Sequence, residues 1–141
     1  MEDATPFDRC FDGHTLDAFC TSVYDGDTIK VIVSMPGSND GRRFLVNCRL
    51  TGIDTAEMRG TRGDEKQKAI DARDMLRGWI LNQQCRVECG RLDKYGRLLI
   101  QVYAFDDLGT TCNQRLIDAG LALAYDGGTK KSHTPATSAH K

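Results

Sequence analysis

The chain is 141 residues long and 40% hydrophobic, enough for one compact domain with a core and too little for two. Its 19 lysines and arginines nearly balance 20 aspartates and glutamates, and the net charge of −1 excludes a global attraction to polyanions. The first 20 residues have neither the basic start nor the apolar run of a secretory signal, and no segment approaches the roughly 18 apolar residues of a membrane span, so a soluble, intracellular, cytoplasmic protein is expected.

Residues 1–19 read as an N-terminal extension. From 20 to 33 the chain is rich in β-branched residues, and strand alternation puts Asp25 and Asp27 of VYDGDTIKVIV on one face with Ile29, Val31 and Val33. Ionised carboxylates on an apolar face are costly unless a cation or donor meets them, so compensation is expected there. After the turn-rich MPGSNDG, RRFLVNCRLTGID reads as a further strand with Phe44, Val46, Cys48 and Leu50 on one face and Arg49 on the other. The loop TAEMRGTRG leads to a helix in which Ala69, Ala72, Leu76 and Ile80 recur at helical spacing, with Asp64 and Gln67 as a capping box.

CRVECGR and RLLIQVYAF then read as two strands of a hairpin around LDKYG, with Leu98, Ile100 and Val102 on one face. Asn113 is placed as the cap of a short helix, QRLIDA, which Gly120 ends in a left-handed conformation. Residues 126–141 hold too few large apolar side chains to bury and are expected to be disordered. Six cysteines form no CxxC pair and lie far from most of the three histidines, which argues against zinc; they read as reduced, mostly buried small hydrophobes. The two opening segments read as a β-meander of about three strands, and these, a helix, two strands and a helix fit an α+β, mainly β architecture: a five-stranded OB-fold-type barrel with two helices over residues 20–125.

Three charged clusters carry the chemistry. Each has an ordinary explanation when taken alone: DGD is commonly a hairpin turn, Arg49 to Glu57 a solvated strand end, and DKYGR a charged turn. Together they suit a phosphodiester. Asp27 and Asp54 would supply two carboxylates to a hard cation such as Ca²⁺ or Mg²⁺. Arg49 and Arg97 would grip non-bridging phosphate oxygens in planar, two-pronged geometry, and Glu57 would orient or deprotonate the attacking water.

DGDTIKV, RLTGIDTAE, DKYGRLL and NQRLIDAGLA, in this order and at compatible spacing, resemble the staphylococcal nuclease (thermonuclease) family over roughly residues 20–125. The resemblance implies an OB-type barrel and metal-dependent, usually Ca²⁺-dependent, hydrolysis of DNA and RNA to 3′-phosphates. It also implies metal carboxylates at Asp27 and Asp54, a metal-binding backbone carbonyl at Thr55, and Asp25 as an acidic neighbour close to the metal. Arg49 and Arg97 match the phosphate clamp, Glu57 the carboxylate that handles water, and Lys94 and Tyr95 the residues that contact nucleotide phosphate. Ala56 departs from the family, which usually has proline there, and this relaxes the loop that carries Glu57. Expected partners are DNA or RNA, with single strands favoured, no membrane, and a monomeric state. A non-catalytic nucleic-acid-binding or scaffold module is the alternative. A nucleotide-sugar transferase reading of Asp25 and Asp27 fails for want of a nucleotide-binding α/β pattern.

Overall fold

The structure is a computed structural model and describes residues 4–37 and 41–125. Strands β1 (Thr15–Asp25), β2 (Thr28–Ser34), β3 (Arg43–Leu50), β5 (Gln84–Leu92) and β6 (Leu98–Ala104) close a mixed barrel in the order β1-β2-β3-β6-β5, with β5 returning to β1. All neighbours are antiparallel except β3 and β6, whose parallel pairing closes the barrel. A short strand β4 (Ile53–Asp54) pairs with β7 (Leu123–Ala124) beside it. This is the expected mainly β, OB-type barrel with two helices.

Alternation builds the core: Ile29, Val31 and Val33, Cys48 and Leu50, Cys85 and Val87, and Leu98, Ile100 and Val102 point inward and are buried, while in β1 a register shift between Cys20 and Ser22 lets both Cys20 and Val23 face the core. All six cysteines are free thiols. Burial pushes the thiols of Cys20, Cys89 and Cys112 up to about 11 and that of Cys85 up to about 12, which keeps them protonated and unreactive near neutrality. They serve as small hydrophobic fillers.

Helix α1 (Gly63–Ile80) lays Ala69, Ala72, Leu76 and Ile80 on the barrel, as the spacing predicts. The predicted capping box does not form. Arg62 is the N-cap and contributes no side-chain cap, while Gln67 donates instead to Asp71 one turn on. Helix α2 (Cys112–Asp118) is capped by Thr111, whose side chain accepts from the Gln114 N–H at 3.0 Å. Asn113, expected as that cap, lies inside the first turn and is buried. Its amide oxygen accepts from the Val102 N–H at 3.1 Å, and its nitrogen donates to the carbonyls of Thr51 at 2.8 Å and Ile100 at 3.2 Å. One side chain thus joins α2, β6 and the end of β3. Gly120 has a φ of 77°, the left-handed helix end expected there.

The first strand begins at Thr15, not at residue 20, because Thr15–Phe19 pair with β5. Phe11 enters the core, so the fold reaches into the stretch set aside as an N-terminal extension. Hydrophobic alternation is weak in TLDAF, and only the waiting edge of β5 makes it a strand. The tail at 126–141, expected to be disordered, lies outside the described residues.

Candidate active site

The sequence VYDGDTIKV is not one strand. β1 ends at Asp25, Gly26 and Asp27 turn the chain, and Thr28 opens β2 opposite Asp25. The hairpin-turn explanation of DGD is therefore right about backbone, yet both carboxylates are buried, each only 8% exposed. Asp27 is not on the apolar face shared by Ile29, Val31 and Val33; it stands at the turn, where Thr28 Oγ1 donates to its Oδ1 at 3.1 Å. The Asp27 backbone carbonyl also accepts from the Leu50 N–H at 2.9 Å, tying the turn to β3.

Gly26 allows this turn to lie on α1. A Cβ at residue 26 would meet the Ala72 Cβ at 2.7 Å and Thr55 Cγ2 at 3.2 Å, and Ala72 is held by the helix backbone. Gly26→Ala is expected to cost about 1–3 kcal/mol by overpacking. Chemical denaturation measures this, and a change within error would show that the helix can yield.

Arg49 leaves β3 on the outer face and folds back over the turn. Its Nη1 donates to the carbonyls of Leu50 at 2.6 Å and Ile53 at 3.2 Å and lies 3.3 Å from Asp27 Oδ2. Its Nη2 is 4.0 Å from Asp54 Oδ1, so one guanidinium faces two buried carboxylates. Asp54 is positioned by β4, and the Tyr125 N–H donates to the Gly52 carbonyl at 2.9 Å to hold that corner.

Asp25 Oδ1 accepts from the Met58 N–H at 3.2 Å, which fastens the loop carrying Glu57 to the turn. Thr61 Oγ1 donates to the Glu57 carbonyl at 2.6 Å, and Lys66 Nζ donates to that of Met58. These ties shape a loop in which Ala56 lacks the stiffness of proline. Burial raises the Asp25 carboxyl above the ordinary 3.8, the Met58 N–H offsets part of this, Asp27 and Glu57 add to the rise, and Arg73 opposes it. The unfolded chain then loses this proton first, so stability falls as pH rises from the unfolded value through the folded one. Asp25→Asn is expected to raise the melting temperature at neutral pH in a chelator and to lose that advantage in acid. An equal shift at both pH values would exclude ionisation as the cause.

Arg97 follows the β5–β6 turn and is gripped by Asp93. Both Nε and Nη2 lie 2.9 Å from Asp93 Oδ2, and the Arg97 N–H donates to Oδ1 at 2.9 Å. Desolvation acts to raise the Asp93 carboxyl, but the N–H groups of Arg97 and Tyr95 and the guanidinium outweigh it and hold the group below 3.8. The sequence reading passed over Asp93; its place as the first residue of a turn, where an aspartate accepts backbone N–H groups, is the signal that would have found it.

Asp25, Asp27, Thr28, Arg49, Asp54, Glu57, Arg97 and Tyr125 line one cavity of about 260 Å³. The three charged clusters therefore meet. A second cavity of about 410 Å³ shares Arg49, Arg97 and Tyr125 and extends over Asp93 and Leu99. Lys94 and Tyr95 line neither: they stand at the turn, with Tyr95 72% exposed, Lys94 Nζ 5.3 Å and Arg97 Cζ 5.5 Å from its ring. Thr55 is buried and packs toward Gly26. Tyr125 and Thr28 are further lining residues that the sequence reading did not single out.

Residues 47–140 match the family model described as staphylococcal nuclease homologue. The chain is 35% identical over 104 residues to an uncharacterized endonuclease of Escherichia coli O157:H7, covering 74% of this chain and 58% of that protein. It is 31% identical over 100 residues to a probable endonuclease LCL3 of Phaeosphaeria nodorum, covering 67% and 32% respectively. The chain thus spans little more than half the length of the bacterial relative and about a third of the fungal one.

Proposed function

Because the chain belongs to the staphylococcal nuclease homologue family, we propose that it hydrolyses phosphodiester bonds of DNA and RNA, leaving 3′-phosphates. The observation that carries this reading is the convergence of two arginines and four carboxylates on one 260 Å³ cavity. Arg49 approaches it from β3 and Arg97 from the turn before β6, and both grip the non-bridging oxygens, where charge concentrates in the transition state. Asp27 and Asp54 keep the Arg49 guanidinium over the cavity before substrate arrives. Glu57, exposed on its tethered loop, takes the proton of the attacking water. Lys94 and Tyr95, at the rim beside Arg97, meet the neighbouring phosphate.

The donors at the turn are all oxygens, which suits a hard divalent cation, Ca²⁺ first and Mg²⁺ second. Among the described residues no three His, Cys, Asp or Glu side chains form a group able to hold an ion. Asp27, Asp54 and the Thr55 carbonyl would therefore hold it together with water and substrate phosphate, an arrangement such ions accept. When bound, the cation neutralises phosphate charge and eases ionisation of water. Asp25 stands beside this set and supports the loop.

Among the described residues no helix is long and apolar enough to cross a membrane. A monomeric protein that favours single strands as substrate, in the cytoplasm, completes the proposed reading.

The test is cleavage of labelled single-stranded and duplex DNA and RNA with Ca²⁺, with Mg²⁺ and with a chelator. Cleavage with Ca²⁺, 3′-phosphate ends and loss of activity in chelator are expected. Glu57→Gln is expected to slow turnover about 10²-fold while substrate binding changes little. A defect confined to binding would remove Glu57 from the chemistry. A folded chain that binds strands and never cuts them would be a binding module.

A further inference from the structure

Glu57 is exposed, on the loop between β4 and α1, so the backbone on either side of it sets where its carboxylate can stand. Before it, Thr55 and Ala56 are buried and fix the incoming chain. After it, three successive polar atoms of the main chain are engaged. The Glu57 carbonyl accepts from Thr61 Oγ1 at 2.6 Å, the Met58 N–H donates to Asp25 Oδ1 at 3.2 Å, and the Met58 carbonyl accepts from Lys66 Nζ. A peptide group is planar, so engaging its N–H and its carbonyl fixes the plane that leaves Glu57.

The three ties differ in what stands behind them. Thr61 belongs to the loop and moves with it. Asp25 fastens the loop to the end of β1, and Lys66 fastens it to α1, whose Ala69, Ala72, Leu76 and Ile80 are buried on the barrel. The helix itself has no use for a lysine there. Asp64 and Glu65 in its first turn suit the positive end of the helix dipole, and a cation at the next position opposes it. The ammonium of Lys66 goes to the loop instead.

We propose that Lys66 is a positioning residue of the nuclease site: by holding the Met58 carbonyl from α1, it keeps Glu57 where it takes the proton of the attacking water. This rests on the nuclease reading of the site and adds to it the side chain that couples a packed helix to the loop of the base. Proton transfer needs hydrogen-bond reach, so a loop released from the helix loses rate and leaves the phosphate grip of Arg49 and Arg97 untouched.

The test compares the full chain with Lys66→Met, which keeps the apolar stem and removes the ammonium, and with Lys66→Arg, which keeps a cationic donor. On labelled single-stranded DNA with Ca²⁺, Lys66→Met is expected to lower kcat about tenfold and to change KM by less than about twofold. Lys66→Arg is expected to retain most of the parental rate. In a Glu57→Gln background, Lys66→Met is expected to change the residual rate by less than about twofold, because that rate no longer depends on where residue 57 stands. Trypsin reads the tie without catalysis. Arg59 and Arg62 are exposed on the loop, and cleavage of the native chain after them, identified by fragment mass, should rise about tenfold in Lys66→Met. Melting curves verify the fold.

A parental kcat in Lys66→Met overturns the proposal, and so does a loss confined to KM, which would put Lys66 on the substrate. An equal loss in the Glu57→Gln background would show that Lys66 does not act through Glu57, and unchanged tryptic cleavage that it does not hold the loop; either overturns it. A parental chain that cuts no strand with Ca²⁺ ends the nuclease reading, and the positioning role falls with it. A parental chain that cuts as expected, matched by Lys66→Met, ends the positioning role alone.

Discussion

Arg97→Lys is expected to lower kcat for phosphodiester cleavage by about 10²–10³-fold, the usual cost of one misplaced donor to transition-state charge. The substitution keeps the positive charge, so it separates charge from geometry. Arg97 presents Nε and Nη2 to Asp93 Oδ2, each at 2.9 Å, which orients the plane of its guanidinium while the cavity side remains available to phosphate. An ammonium on a flexible stem has no plane to orient and offers one point of contact where the fork offers two. Single-turnover rates with saturating substrate would report the chemical step, and a melting curve would verify the fold. A lysine variant with the parental rate would remove Arg97 from the clamp.

Asn113→Ala is expected to cost about 3 kcal/mol of stability. The side chain is 3% exposed and makes three hydrogen bonds that join α2 to two other parts of the chain. The consequences are unequal. The Ile100 carbonyl also accepts from the Thr51 N–H at 2.8 Å, and the Thr51 carbonyl also accepts from Gln101 Nε2 at 3.3 Å, so both keep a partner. The Val102 N–H loses the acceptor that Asn113 provides and is left buried, and a small void opens beside it. Urea denaturation would measure the loss. A cost under about 0.5 kcal/mol, the scale of an ordinary surface change, would show that water replaces the amide.

Which residues meet in this protein was legible only in part before the fold was known. The apolar faces of α1 and of β6 were read directly from spacing, because a helix of period 3.6 and a strand of period two leave different marks on a sequence. Local chemistry misled where one residue type serves two ends. Asn113 has the side chain of a helix cap, but Thr111, two residues earlier, takes that place and its oxygen reaches the Gln114 N–H, which leaves the amide to tertiary bonding. Asp25 and Asp27 were read as one strand because β-branched residues flank them on both sides. The run turns as a hairpin at Gly26, and the lack of a side chain there lets the turn lie against Ala72 of α1, over 40 residues away.

The sequence by itself determined the barrel-forming alternation, the amphipathic helix, and the residue types that suit a phosphodiester, since each depends on neighbours within a few positions. Tertiary structure alone decided that Asp27, Asp54, Glu57 and Arg97 line one cavity and that Asp93 grips Arg97. The cause is closure: parallel pairing of β3 with β6 brings Arg49 beside Leu99, two residues from Arg97, although 50 residues separate the partners in the chain. No local pattern encodes a pairing made across that distance.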